Sequence, residues 1–91
     1  MSTVAADYSI ASYPNPFTTS TQIEIGLKSR SYIKLGLFNV LGEEVKVISE
    51  GYRQAGISHD RLSALGLRAG LYILRLEVNG ESYSKTVLLQ R

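Results

Sequence analysis

From Thr21 to Lys28, aliphatic and polar residues alternate: Ile23, Ile25 and Leu27 fall on one side of an extended chain, with Gln22, Glu24 and Gly26 on the other. A period of two is the signature of a strand with one buried face. The next stretch repeats it, with Ile33, Leu35 and Leu37 alternating with Tyr32, Lys34 and Gly36. The polar link Lys28-Ser29-Arg30-Ser31 suits a short connection, so the two strands are expected to pair as an antiparallel hairpin.

After Phe38, Asn39-Val40-Leu41-Gly42 reads as a turn, because Asn and Gly tolerate left-handed backbone. Glu43 to Glu50 resumes as a strand of unsettled register, since Val45 and Val47 share a face that Ile48 does not. Gly51 to Gly56 is expected to be a loop, Ile57 to Leu62 a weak strand, and Ser63 to Gly70 a connection. A helical turn over Arg61 to Leu67 is the alternative there, but a long helix is disfavoured because Gly66 and Gly70 would each cost about 1 kcal/mol relative to alanine. The clearest pattern comes last. Leu71 to Val78 sets Tyr72, Leu74, Leu76 and Val78 on one face and Arg75 and Glu77 on the other, Asn79-Gly80 suits a two-residue type I′ turn, and Ser82 to Leu89 returns.

At the other end, Tyr8 to Tyr13 could form a short strand, and Pro14-Asn15-Pro16 fixes a rigid corner after it. This spacing of strands and turns predicts an all-β fold, an immunoglobulin-like antiparallel β-sandwich of about seven strands, with a small barrel as the alternative. The cysteine pair and tryptophan of antibody domains are missing.

The length, 91 residues, fits one domain, with residues 1–12 read as a linker remnant or short first strand and 13–91 as the sandwich. With 44% hydrophobic and 20% charged residues the chain can build a core. Ten Lys plus Arg against eight Asp plus Glu leave a net charge of +2, too little for the many phosphate contacts of a nucleic-acid binder. No apolar run is long enough for direct membrane insertion, and Met1 to Ile10 lacks the pattern of a secretory signal, which would then lie upstream.

The inventory of reactive groups points away from catalysis. Zero cysteines exclude thiolate chemistry, and the single histidine, His59, excludes a multi-histidine metal site. His59 beside Asp60, and Glu43 beside Glu44, are strand or turn neighbours that face apart. No phosphate loop or calcium loop occurs, so no catalytic, cofactor or metal residue is expected. Of six tyrosines, Tyr32, Tyr52 and Tyr83 could be exposed; a carbohydrate-binding strip would need them coplanar on one sheet, and an ordinary strand role is the other reading.

The order of turns carries more. Tyr13-Pro14-Asn15-Pro16-Phe17 with the following Thr/Ser run, Phe38-Asn39-Val40-Leu41-Gly42, Gly70-Leu71-Tyr72 and the closing Ser84-Lys85-Thr86-Val87-Leu88-Leu89-Gln90-Arg91 together resemble the C-terminal sorting domains of the type IX secretion system of Bacteroidota. The resemblance covers residues 12–91. Members often carry an aromatic-Asp pair and a basic residue where this chain has Phe38-Asn39 and Glu43. What the resemblance implies is a non-catalytic export address that needs no cofactor. An upstream cargo domain in cis would pass through the periplasm and be recognised by outer-membrane type IX translocon components. It would end on the cell surface or outside the cell, in some cases after a cut by a sortase-like peptidase upstream of the sandwich. A carbohydrate-binding module or a passive spacer of an extracellular enzyme is the alternative.

The residues suggest where such an address would be read. The last strand is expected at a sheet edge, where open backbone groups can pair with a receptor strand. Ser82 to Arg91 contains no acid, so Lys85 and Arg91 give that strand a positive tip able to steer toward an acidic partner. Lys85, Val87, Leu88, Leu89 and Arg91 are therefore the candidate recognition residues. The competing reading makes Val87 to Leu89 core and Lys85 a guard against edge aggregation. Tyr13, Pro14, Asn15, Pro16, Gly42, Gly70, Tyr72, Asn79 and Gly80 are assigned to structure, as corner and turn residues.

Overall fold

The computed structural model describes residues 8–91. Seven strands follow one another: β1 (Tyr8–Tyr13), β2 (Ser20–Leu27), β3 (Ser31–Phe38), β4 (Glu44–Arg53), β5 (Gly56–Ser63), β6 (Gly70–Val78) and β7 (Glu81–Leu89). They form two antiparallel sheets, ordered β1-β2-β5 and β4-β3-β6-β7, packed face to face as the all-β sandwich that the periodicity predicts. Ile23 and Ile25 from one sheet meet Ile33, Leu35, Leu37, Leu74 and Leu76 from the other, all fully buried. Burying each such side chain favours the fold by about 1.5–3 kcal/mol.

The expected β2–β3 hairpin does not form. The two strands lie in different sheets, β2 between β1 and β5 and β3 between β4 and β6. A short polar link arches from sheet to sheet as readily as it folds a hairpin, and only the arch lets both aliphatic faces meet across one core. The expected loop from Gly51 to Gly56 is also shorter than the sequence suggests, because β4 runs on to Arg53 and leaves only Gln54 and Ala55. The unsettled register of β4 has a structural cause. Leu35 lies opposite Ser49 but Gly36 opposite Val47, and Leu37 opposite Lys46 but Phe38 opposite Glu44, so Ile48 and Val45 are the extra residues of two bulges. Between β5 and β6 the chain makes one turn, closed by Leu67 N–H donating to Ala64 O, and no helix.

Polar side chains bridge both rims of the sandwich. At the β4–β5 rim the Arg53 guanidinium donates to Ser49 Oγ (2.7 Å), Ser58 Oγ (2.9 Å) and Asp60 Oδ1 (2.8 Å). Arg53→Ala would leave the half-buried Asp60 carboxylate without its counter-charge. It is expected to lower stability by about 2 kcal/mol, read as a shift in denaturant midpoint at unchanged slope. At the β1–β7 rim the Tyr8 ring packs on Tyr83 with centroids 4.2 Å apart, and its hydroxyl donates to Glu81 Oε1 (3.0 Å). Burial first, and then that bond to a carboxylate, raises the Tyr8 phenol above its ordinary range.

Candidate functional site

The β6–β7 hairpin forms as its sequence predicts. Asn79 and Gly80 take φ of 51° and 89°, the left-handed pair that a type I′ turn requires, and the ladder runs in register from Val78↔Glu81 to Gly70↔Leu89. Alternation then assigns every side chain of β7 to a face. Val87 and Leu89, each 1% exposed, belong to the core, whereas Leu88 is half-buried on the outer face opposite Leu71. Lys85 lies opposite Leu74, which places an exposed cation on the core-side face at the open rim, an established guard against strand-to-strand aggregation. Among the described residues it has no acidic partner. Arg91 is exposed, yet its guanidinium is tied to the β5–β6 turn, donating to Ala64 O (3.1 Å) and to Leu67 O.

As expected, β7 is a sheet edge, but half of that edge is not bare. Phe17 bridges to Leu89 in parallel orientation: Phe17 N–H donates to Leu88 O, and Gln90 N–H donates to Phe17 O, both at 2.9 Å. Next to it the Asn15 side chain takes the adjoining positions, Nδ2 donating to Thr86 O (2.9 Å) and Oδ1 accepting from Leu88 N–H (3.0 Å). The proline corner is therefore a strap over the end of β7. Phe17 anchors it at 1% exposure, while Tyr13, Pro14, Asn15 and Pro16 lie at the surface. Thr21 Oγ1 fixes the near side by donating to Pro14 O (2.8 Å).

The remaining motif residues are turn parts. Asn39 Oδ1 accepts from the N–H groups of Leu41 and Glu43, Gly42 N–H donates to Asn39 O, and Asn39 Nδ2 donates to Glu43 Oε1 at 2.8 Å. The turn thus joins an amide to a carboxylate through Asn39 and Glu43. Gly70 opens β6, and Tyr72, buried two residues on, donates from its hydroxyl to Arg68 O at 2.6 Å.

Among the described residues no tyrosine strip forms. Tyr32 and Tyr52 meet edge to face, at 72° between ring planes, while Tyr83 packs on Tyr8 at 50° on the other face of its sheet. His59 pairs with Glu24 (3.3 Å) on the exposed face of the three-stranded sheet. The depression of about 510 Å³ beside it, lined by Tyr13, Gln22 and Arg61 among others, lacks a nucleophile with a base oriented behind it. Among the described residues no three His, Cys, Asp or Glu stand close enough to hold a metal ion.

Comparison with protein-family models gives a match to the secretion-system C-terminal sorting domain over residues 11–90. The chain belongs to this family, the type IX sorting domains. Its sorting domain is a signal for type IX secretion, a role that implies export to the cell surface or the extracellular space and interaction with the secretion machinery. Sorting domains of this family are not catalytic. A search of curated proteins finds no match to this sorting domain.

Proposed function

We propose that this domain directs a cargo attached upstream in cis across the outer membrane, after periplasmic transit, by presenting β7 to components of the type IX translocon. The folded address begins with β1 at Tyr8 and runs to Arg91, and a sortase-like peptidase cuts ahead of it, between the sandwich and the cargo. The observation that carries the reading is the family match along residues 11–90, which includes the whole of β7. Within the candidate set, Val87 and Leu89 act by holding the strand in place, Arg91 by pinning its end to the β5–β6 turn, Leu88 by facing outward, and Lys85 by presenting an exposed cation at the core-side rim. The Pro14–Phe17 strap, Gly42, Gly70, Tyr72 and the Asn79-Gly80 turn hold the frame.

A signal-peptide-bearing reporter fused to residues 1–91 in a type IX-competent host tests this. Lys85→Glu reverses the single cation of β7 and touches no core contact, so the domain is expected to melt as before. Surface delivery is expected to fall by about tenfold if the cation steers toward an acidic receptor. Arg91→Glu is the poorer variant because it also breaks two hydrogen bonds to the β5–β6 turn. Unchanged delivery of the Lys85→Glu reporter rejects Lys85 as a recognition group, and failure of the unaltered reporter to leave the periplasm rejects the export reading itself.

A further inference from the structure

The strap shows what kind of strand β7 accepts. In a parallel ladder one residue bonds the carbonyl of one partner residue and the N–H of the residue two further on. Phe17 does this with its own backbone, bonding Leu88 O and Gln90 N–H. Asn15, two residues earlier, belongs in register opposite Val87, but there its side-chain amide bonds Thr86 O and Leu88 N–H in place of its peptide. Before Asn15 the strap leaves β7, since Tyr13 pairs with Gln22 in the other sheet. The next parallel positions are open. Ser82 and Ser84 alternate with the residues that bond β6, so their N–H and C=O point outward, as does the Thr86 N–H, with no partner among the described residues.

We propose that the outer edge of β7 from Ser82 to Leu88 is a docking site for an extended acidic peptide strand running parallel to β7, and that the Asn15 amide is a placeholder displaced when that strand binds. Magnitudes separate the movable part from the fixed one. The two Asn15 bonds lie at the surface, where each contributes about 1 kcal/mol, whereas releasing Phe17 would empty a fully buried aromatic site. Displacement therefore stops at Phe17, which sets the end of the docked strand. The preference for an acidic strand comes from Lys85, which stands unpaired in the middle of the open run, within a segment from Ser82 to Arg91 that contains no acid. This inference rests on the reading of β7 as the address, and it names the chemistry of what reads it.

The probe is a synthetic capped peptide, Val-Thr-Val-Glu-Val-Thr, titrated into the 15N-labelled chain without translocon. Peptide-dependent shifts and slowed hydrogen exchange are expected at the amides of Ser84, Thr86 and Leu88, and not in β4 or β5. Ser84→Pro removes one outward N–H at an edge, where proline is tolerated, and is expected to abolish these changes. Asn15→Ala removes the competitor and is expected to tighten binding at least about threefold, because more of the population is then binding-competent. Lys85→Glu is expected to weaken it. Exchange protection in β3 and β6 reports that each variant is folded. Absence of peptide-dependent protection at Ser84 and Thr86, or its persistence at Thr86 and Leu88 in Ser84→Pro, overturns the site. Binding that Asn15→Ala leaves unchanged or weakens overturns the placeholder. A wild-type reporter that stays in the periplasm would sink the export reading while leaving this titration to be judged on its own result.

Discussion

Removing Lys85 to Arg91 is expected to unfold the domain outright. The deletion takes Val87 and Leu89 out of a core in which each is 1% exposed, and their burial alone favours the fold by about 3–6 kcal/mol. It also strips β6 of half its partner strand from Leu74 to Gly70, and leaves Asn15 and Phe17 with nothing to bond. Those losses together match or exceed the roughly 5–14 kcal/mol that a domain of this size holds in reserve. The truncated chain should give collapsed amide dispersion and no cooperative thermal transition. A sharp melt within a few degrees of the intact domain would mean that β7 contributes little to the core. Loss of export on truncation therefore cannot by itself reveal an address, which is why a surface charge reversal is the sharper probe.

The second large effect is expected at Phe17. Phe17→Ala empties a site at 1% exposure at the anchored end of the strap and should cost about 3–5 kcal/mol. At about 4–8 °C per kcal/mol for a small domain, the melting temperature falls by roughly 12–40 °C. Asn15→Ala, two residues away, removes only surface hydrogen bonds and should cost about 1–2 kcal/mol. A cost for Phe17→Ala no larger than that of Asn15→Ala would show that the strap has no anchor.

The parts of this fold that were legible in the sequence are those set by neighbouring residues. Ile23, Ile25, Ile33, Leu35, Leu37, Leu74 and Leu76 were each placed on a buried face by alternation, and all are buried. Asn79-Gly80 named its own turn. What stayed hidden depends on residues far apart in sequence or on broken alternation. The separation of β2 from β3 into two sheets is decided by which face meets which across the core, and Lys28 to Ser31 carries no mark of it. The end of β4 was obscured because the bulges at Val45 and Ile48 interrupt the period on which strand reading depends.

At the candidate site, the exposed cation at Lys85 could be read from the sequence, but the strap could not. Asn15 and Thr86 are 71 residues apart, and nothing local announces the meeting. One signal existed in principle. Prolines on both sides of Asn15 remove the neighbouring backbone donors, leaving its amide as the group best able to complete a ladder there. The tie from Arg91 to the Ala64 and Leu67 carbonyls has no local signal either, because carbonyls left unbonded by a turn are visible only once that turn is built.

The hydrogen bond between Tyr8 and Glu81, at the start of both β1 and β7, has a geometric consequence for whatever is carried. It puts the first described residue at the pole of the Asn79-Gly80 turn, while the nine residues of β7, spanning about 30 Å, carry the chain to Arg91 at the opposite pole. The chain thus enters the sandwich at Tyr8, a full strand length from Leu88 and Arg91. A passenger seated at that entry pole leaves the far end uncovered.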